Sequence, residues 1–346
     1  MIMRISFNIP TYNRAKYLKQ NLDILTTQIK ELHKEDEVEI NISDNASTDE
    51  TKQVSEACIA ANPHLHISYH CNEKNLGPDG NFIAAMHLAK GEYSLLWGDD
   101  DFLKEGGLAR IFELAEYGDK NDIQLMLSST SLYDKNGNYT GEKSFLREDI
   151  DELTVDFSDL TQARAYFFLL KDMGGMLSFI SDVVYKTSII NEIPFDEDFM
   201  GTHYAFLCYW WGWLAKDKKL YYSNQSFLKE TIQYQSAYGY GVDRAMVDYK
   251  GYTLIANKFF EKETLKKDFL AAFQQLHDLL NVMYLVYGDG EKYNRLLVPK
   301  LKECGVSDET IAETKRFCGS KSTFKLFLYS FVPTCIFDIL KSLKKR

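Results

Sequence analysis

Residues 4–18 read RISFNIPTYNRAKYL: a short run alternating with apolar residues stops at Pro10 and passes at once into a helix-compatible stretch, TYNRAKYLKQNLDILTTQI. A strand that ends in turn residues and feeds a helix opens a βαβ unit. The pattern then recurs. EVEINISDN (37–45), LHISYHC (65–71) and YSLLWG (93–98) read as further strands, with DETKQVSEACIAANP (49–63) and DGNFIAAMHLAKG (79–91) as the helices between them. This alternation predicts an α/β fold with a mostly parallel central sheet flanked by helices. Such sheets gather ligands outside the carboxyl ends of their strands. Three polar clusters fall there: residues 10–13, 44–47 and 99–101.

Farther along, Ser47 or Thr48 is expected to cap the second helix, with Asp49 and Glu50 in its amide-rich first turn. GGLARIFELAEYG (106–118) reads as an amphipathic helix ending near Gly118. IQLMLSSTSLYDKNGNYTG (123–141) reads as a strand entering a hairpin through Asn136-Gly137. From about residue 141 the pattern is less regular, and beyond 243 it is largely helical. YWWGW (209–213) carries three tryptophans, which suit core packing, a sugar face or a membrane interface.

The chain has 346 residues, 45% of them hydrophobic, so it can bury a large core and does not have the composition of a disordered protein. Its 50 acidic side chains outnumber 40 basic ones, which gives little support to a nucleic-acid-binding surface over the whole protein but leaves room for a local site for a nucleotide-sized anion. The six cysteines, at 58, 71, 208, 304, 318 and 335, show neither metal spacing nor the density of a disulfide scaffold, so a reducing cytosol is expected. The start lacks the apolar run of a signal peptide, and no stretch supplies the roughly 20 apolar residues of a membrane span. A soluble or peripheral protein, cytoplasmic and on the inner face of the membrane, is the expectation.

LLWGDDDFL (95–103) is the strongest chemical cue. Three carboxylates where an apolar strand stops repel one another, and a divalent cation or nearby donors relieve that repulsion. Mg²⁺ or Mn²⁺ needs only one or two carboxylates when phosphate oxygens complete its shell. A solvated acidic turn is the alternative reading of the loop taken by itself.

SFNIPTYNRAKYL (6–18), ISDNASTDET (42–51) and NEKNLGPDGNFIAAMHLAKGEYSLLWGDDD (72–101), in this order, resemble the nucleotide-sugar-binding half of family 2 glycosyltransferases with the GT-A fold. The resemblance is greatest to bacterial enzymes that build O-antigen or capsule, including the abequosyltransferase-like group. It implies a GT-A catalytic domain over 1–240, with the donor half at 1–101 and the acceptor side at 102–240, and a mainly helical region over 241–346. By that resemblance Pro10, Thr11, Tyr12 and Asn13 wall the nucleoside. Asp44 accepts a base or ribose hydrogen bond, and Asn45 supports its turn. Asn75, Gly77 and Asp79 border the donor, and Asp99 belongs to the ribose-phosphate motif. Asp100 and Asp101 stand on the metal side, without it being settled which touches the ion.

The implied chemistry is inverting transfer of a sugar from a nucleoside diphosphate to a hydroxyl of a growing surface polysaccharide or a lipid-linked oligosaccharide. The family's base belongs to an acidic pair far downstream. In FDEDFMGTHYAFLCYWWGW (195–213) His203 and Tyr204 stand in its place. His203 is one candidate base, since imidazole accepts a proton near neutral pH. Asp198 is the other, with Asp196 or Glu197 available if the match is displaced. On the acceptor side the resemblance gives Gly174, Gly175, Ser178, Asp182, Tyr204 and Trp210; a plain helix-to-strand junction also accounts for the Gly-Gly pair. Residues 321–346 hold six Lys/Arg against one Asp among many apolar residues, a composition that fits peripheral contact with an anionic membrane or packing on the domain. Loss of the usual acidic pair leaves a second reading, a catalytically weak glycan-binding or assembly subunit on the same architecture.

Overall fold

The computed structural model describes residues 3–134, 137–147, 149–231 and 242–276, with short stretches between 295 and 312. Strand β1 (Ile5–Thr11), helix α1 (Ala15–Glu31), β2 (Val38–Asp44), α2 (Thr51–Ala61), β3 (His66–Cys71), α3 (Gly77–Met86) and β4 (Tyr93–Leu96) follow the expected order. After the acidic loop come β5 (Phe102–Leu103), α4 (Gly107–Asn121), β6 (Leu125–Tyr133), β7 (Tyr139–Lys143) and β8 (Glu152–Asp156). The chain continues through α5 (Leu160–Leu169), β9 (Val183–Lys186), α6 (Ile189–Glu192), α7 (Leu207–Leu214) and β10 (Lys219–Thr231). Helices α8 (Val242–Phe259), α9 (Glu263–Leu276) and α10 (Val298–Glu303) make the C-terminal region helical.

The ten strands form one sheet in the order β3-β2-β1-β4-β9-β6-β10-β5, with β7 on β6 and β8 on β10. Strand β9 runs antiparallel to both β4 and β6, so β3, β2, β1, β4, β6 and β10 share one direction. The winding goes outward from β1 to β2 and β3, and α3 then carries the chain back to β4 on the other side of β1. That reversal is the topological switch point where open α/β sheets place ligands.

Period-two patterning explains the layers. Ile5, Phe7 and Ile9 of β1 lie in one cluster with Ile40 and Ile42 of β2, Leu95 of β4, and Leu18, Leu22, Leu25 and Ile29 from one face of α1. Each such side chain, fully buried, contributes roughly 1.5–3 kcal/mol. The alternate positions are polar yet buried, and they satisfy one another across the strands. The Asn8 amide donates to the Leu95 carbonyl (3.2 Å), Asn41 to Asn8 (3.1 Å) and Ser68 to Asn41 (2.8 Å). Buried polar groups paired in this way avoid the desolvation penalty and fix strand register.

Two local expectations change. Neither Ser47 nor Thr48 caps α2, whose N-cap position is Glu50. Asp49 instead turns toward both helices, accepting from Thr51 N (3.0 Å) and, through its other oxygen, from Ala15 N at the start of α1 (3.1 Å). Helix α4 runs past Gly118 to Asn121, ending at Asp122 in the left-handed conformation. Gly137 of the expected hairpin turn has φ +83°, whereas Asn136 lies outside the described residues.

The chain divides into a compact unit of Met1–Tyr234 with Leu254–Leu276, and a second of Gln235–Thr253 with His277–Arg346. The first thus includes α9 and the end of α8. Residues 321–346, read as a basic amphipathic tail, lie outside the described residues. Among those described, no helix is long and apolar enough to cross a membrane.

Candidate active site

The carboxyl ends of β1, β2 and β4 converge. Thr11 Oγ1, at the end of β1, donates to Asp99 Oδ2 just beyond β4 (2.7 Å), and Asn45 N beyond β2 donates to the Thr11 carbonyl (2.9 Å). Asn13, at φ +53°, knits the first two turns together: its N–H donates to Ser47 Oγ (2.8 Å) and its Oδ1 accepts from Thr48 N (2.7 Å). Pro10 and Thr11 are buried, whereas the Tyr12 ring is 43% exposed beside them.

Asp44 is buried and already engaged. Its Oδ1 accepts from Ser47 N (2.9 Å) and its Oδ2 from the Tyr69 hydroxyl (2.6 Å), and each oxygen keeps a second lone pair. Asn45 ties this turn to α3: its Nδ2 donates to Asn75 Oδ1 and to the Gly77 carbonyl, both at 3.0 Å, while its Oδ1 accepts from Leu76 N (2.8 Å). Gly77 adopts φ +74° with open space where a Cβ would stand, so it is needed for conformation and not for clearance. Asp79, in the first turn of α3, is only 3% exposed. Its oxygens accept from His203 N (2.9 Å) and Ala205 N (3.1 Å).

The first two aspartates of the acidic loop share Arg14, and the third turns to Ser181. Asp99 meets Thr11 and, at 2.9 Å, Arg14 Nε; Asp100 pairs with the same guanidinium; Asp101 Oδ2 accepts from Ser181 Oγ at 2.5 Å. Burial pushes the Asp99 carboxyl up to about 7, against the opposing charge of Arg14. Gly98 makes the turn close enough, since a Cβ there would stand 2.3 Å from Asp101 Oδ2, and its N–H donates to Ser181 Oγ (2.8 Å). Asn21 of α1 braces the loop, donating to the Gly98 carbonyl (2.8 Å) and accepting from the Trp97 indole (3.0 Å).

Among the described residues no group of three or more His, Cys, Asp or Glu side chains is arranged to hold a metal ion. Asp100 and Asp101 offer adjacent hard oxygens on a half-buried turn. That donor set fits Mg²⁺ or Mn²⁺ in the one- or two-carboxylate mode completed by phosphate and water.

The downstream candidates separate. His203 is half-buried, held at φ +61°, and joined to the donor edge through Asp79. Asp198 turns outward: its side chain is 64% exposed and pairs with Lys258 of α8 at 2.6 Å, as Asp196 does at 2.8 Å. The acceptor-side expectations meet a packed interior. Gly174 and Gly175 lie in a buried 3₁₀ turn (Met173–Met176), where a Cβ would come within 2.4 Å of the Phe145 ring and of Leu170 Cδ2 respectively. The pair is small because protein packs on it, not because it leaves room for a sugar. Trp210 is fully buried against Phe206 and Tyr185, and Tyr204 is 3% exposed, so neither side chain offers an acceptor a surface. Trp211 likewise joins an aromatic core with Phe167 and Phe269. Ser178 is half-buried. Asp182 is fully buried with neither carboxylate oxygen hydrogen-bonded, and burial raises its pKa well above the carboxylate range.

Sequence reading missed Arg14, Tyr69, Asn81 and Ser181. Arg14 had a visible signal, being the one cation between the end of the first strand and the first helical turn. Asn81, whose amide donates to the Ser43 carbonyl (3.0 Å) and whose Oδ1 accepts from Ser43 Oγ (2.8 Å), looks in the sequence like any polar helix residue.

Residues 6–171 match the family model described as Glycosyl transferase family 2. The chain is 37% identical over 203 residues to abequosyltransferase RfbV of Salmonella typhimurium, covering 58% of each chain. It therefore spans just over half the length of that relative. With the GalNAc(5)-diNAcBac-PP-undecaprenol beta-1,3-glucosyltransferase of Campylobacter jejuni it shares 26% identity over 268 residues, 77% of each chain. Among solved structures, TarS 1–349 of S. aureus superposes with a TM-score of 0.61 at 18% identity, covering 91% of this chain and 90% of the other. The mannosyltransferase PcManGT of Pyrobaculum calidifontis gives 0.51 at 14% identity, covering 94% and 83%. At those identities the likeness concerns the fold alone. The family match begins on β1 and takes in all three converging strand ends, so residues 6–171 resemble the family 2 glycosyltransferases, on a fold shared with TarS.

Proposed function

We propose that this protein transfers a sugar, with inversion, from a nucleoside-diphosphate sugar to a hydroxyl of a growing surface polysaccharide or a lipid-linked oligosaccharide. The observation that carries the reading is the convergence of Thr11, Asn13, Asp44 and residues 99–101 at the switch point, with His203 tied to the same edge. The naming of the two relatives as an abequosyltransferase and an undecaprenol-linked glucosyltransferase supports the acceptor class. PcManGT, whose structure holds GDP-Man and Mn²⁺, supports a nucleotide-sugar donor and a divalent ion.

In this reading the exposed Tyr12 ring stacks on the base, and the second lone pairs of Asp44 take its hydrogen bonds. Asp99, held by Thr11 and Arg14, borders the ribose. Asp100 and Asp101 would hold Mg²⁺ or Mn²⁺, which would offset the charge developing on the leaving diphosphate. His203 takes the acceptor hydroxyl proton as that oxygen attacks the anomeric carbon and the carbon–oxygen bond to phosphate breaks. Asp198, committed to Lys258, is the weaker candidate base. Catalysis takes place in the cytoplasm at the inner face of the membrane, with residues 321–346 as the membrane contact.

The test is nucleoside diphosphate release from a panel of UDP-, GDP-, CDP- and dTDP-sugars with Mg²⁺ or Mn²⁺, with membrane glycolipid extract as acceptor and Asp100→Ala as control. Release that the extract stimulates and the variant abolishes is expected. Nucleotide binding with no release across the panel would instead favour a glycan-binding or assembly subunit.

A further inference from the structure

Asp79 has an unusual position for a residue expected merely to border a donor. Its side chain is buried in the first turn of α3, and each carboxylate oxygen takes one backbone N–H, from His203 at 2.9 Å and Ala205 at 3.1 Å. Those two amides lie more than 120 residues downstream, just ahead of α7. At the first of them His203 sits at φ +61°, a conformation that disfavours a side chain with a Cβ. Non-glycine strain of this kind persists only where surrounding contacts over-determine it, and it clusters at working sites. Here the restraints are visible. Thr202 Oγ1 accepts from Tyr204 N (3.1 Å) and donates to the Phe199 carbonyl (2.6 Å), while Asp79 holds the residues on either side of Tyr204.

The same end of α3 is also tied to the sheet. Asn45, beyond β2, holds the Gly77 carbonyl and Leu76 N, and Asn81, one turn into the helix, holds Ser43. A continuous set of hydrogen bonds therefore runs from the strand ends through two residues of α3 to the backbone of His203. Phe82 meets Phe206 edge-on at 5.8 Å beside it, giving the same junction an apolar contact.

We infer that Asp79 is the positioning residue of the transfer reaction: it holds His203 in its left-handed conformation and in register with the donor turn. The inference rests on the reading of His203 as the base. A carboxylate is suited to this work because both oxygens accept only, so two converging N–H groups are satisfied at once; an amide in its place would turn an NH₂ toward one of them.

The experiment is a double-mutant cycle in the full-length protein, using the nucleotide sugar that gives turnover in the panel. Asp79→Asn is expected to lower kcat by about 10–100-fold with donor KM changed less than about twofold, and to displace the limb of the pH–rate profile that reports the base. In a His203→Gln background the same substitution should cost less than about threefold, because the group it positions is gone. Equal losses in both backgrounds would overturn the positioning role. An undiminished rate in His203→Gln alone would instead overturn the reading of His203 as base. Should Asp79→Asn not fold, amide hydrogen exchange on the unaltered protein decides: strong protection at both His203 and Ala205 is expected, and free exchange at either amide would remove the contact on which the inference stands.

Discussion

The two edges of the same sheet handle charge in opposite ways. At the amino edge of β1 and β4, Arg4 pairs with Glu92 and Asp119, Lys186 reaches both at 3.1 and 3.5 Å, and the Tyr93 hydroxyl donates to Asp119 (2.8 Å). Two cations meet two carboxylates, and both cations also lie over the Tyr93 ring. At the carboxyl edge Arg14 answers both Asp99 and Asp100, while Asp101 accepts from a hydroxyl and Asp44 from a hydroxyl and an amide. The balanced edge looks built for stability. The edge where one guanidinium is shared by two carboxylates is the one a cation and a phosphorylated ligand can complete, and folds concentrate such local violations where they act on ligands.

The comparison can be broken by removing charge at each edge. Asp100→Ala should lower turnover at least about 100-fold while leaving thermal unfolding within a few degrees, because a transition-state counter-charge is lost and little packing. Steady-state nucleoside diphosphate release checks it. Arg14→Ala leaves Asp99 almost wholly buried with no cation and should cost about 2–3 kcal/mol of stability, allowing for the partial exposure of the guanidinium. Urea unfolding measures that loss. At the opposite edge Arg4→Ala should cost only about 1 kcal/mol, since Glu92 and Asp119 stay partly hydrated and keep Lys186. Its kcat should not change.

The edges should also differ in the sign of their pH response. Asp99 has its pKa raised by burial to about 7, so the folded state binds its proton more tightly than the unfolded chain does. Its favourable contribution is present below the ordinary carboxylate pKa and is lost as pH rises from about 4 through 7. Asp99→Asn should therefore gain about 2–4 °C in Tm relative to the parent at pH 8, and no more than a fraction of that at pH 4. Asp119 is the reverse case. Burial opposes its ionisation, but hydrogen bonds from Arg4 and Tyr93 outweigh that and hold its pKa below the usual value. It stabilises the fold above the ordinary carboxylate pKa and loses that effect as pH falls through its own. Asp119→Asn should show the smallest change of the set, a deficit at pH 7 that closes below about pH 4. Melting curves across pH 4–8 read both.

Much of the donor half was legible as text. Strand and helix periodicity through residue 98 is local, since neighbouring residues share a face and alternation can be seen without a partner. The three strand-end clusters were legible for the same reason, once a parallel sheet had aligned those ends. The acceptor side was less so. Gly174 and Gly175 look like a loop that makes room for ligand, yet Phe145, some thirty positions earlier, and the nearby Leu170 pack against them. Trp210 looks like a sugar platform, but Phe206 and Tyr185 close over it. Which face of an aromatic helix is covered depends in part on residues from another strand, here Tyr185 of β9.

From the order of its residues alone this chain is an alternating α/β protein with acidic and amide-rich turns at the ends of its first, second and fourth strands, because those features depend on spacing within a few residues. Tertiary structure decided how the charges in those turns are shared. Arg14 faces Asp99 and Asp100 across 85 and 86 positions of chain, Ser181 faces Asp101, and Asp79 reaches the amide of His203. The physical reason is that hydrogen bonds and ion pairs act over about 3 Å of space, whatever the number of residues between the partners.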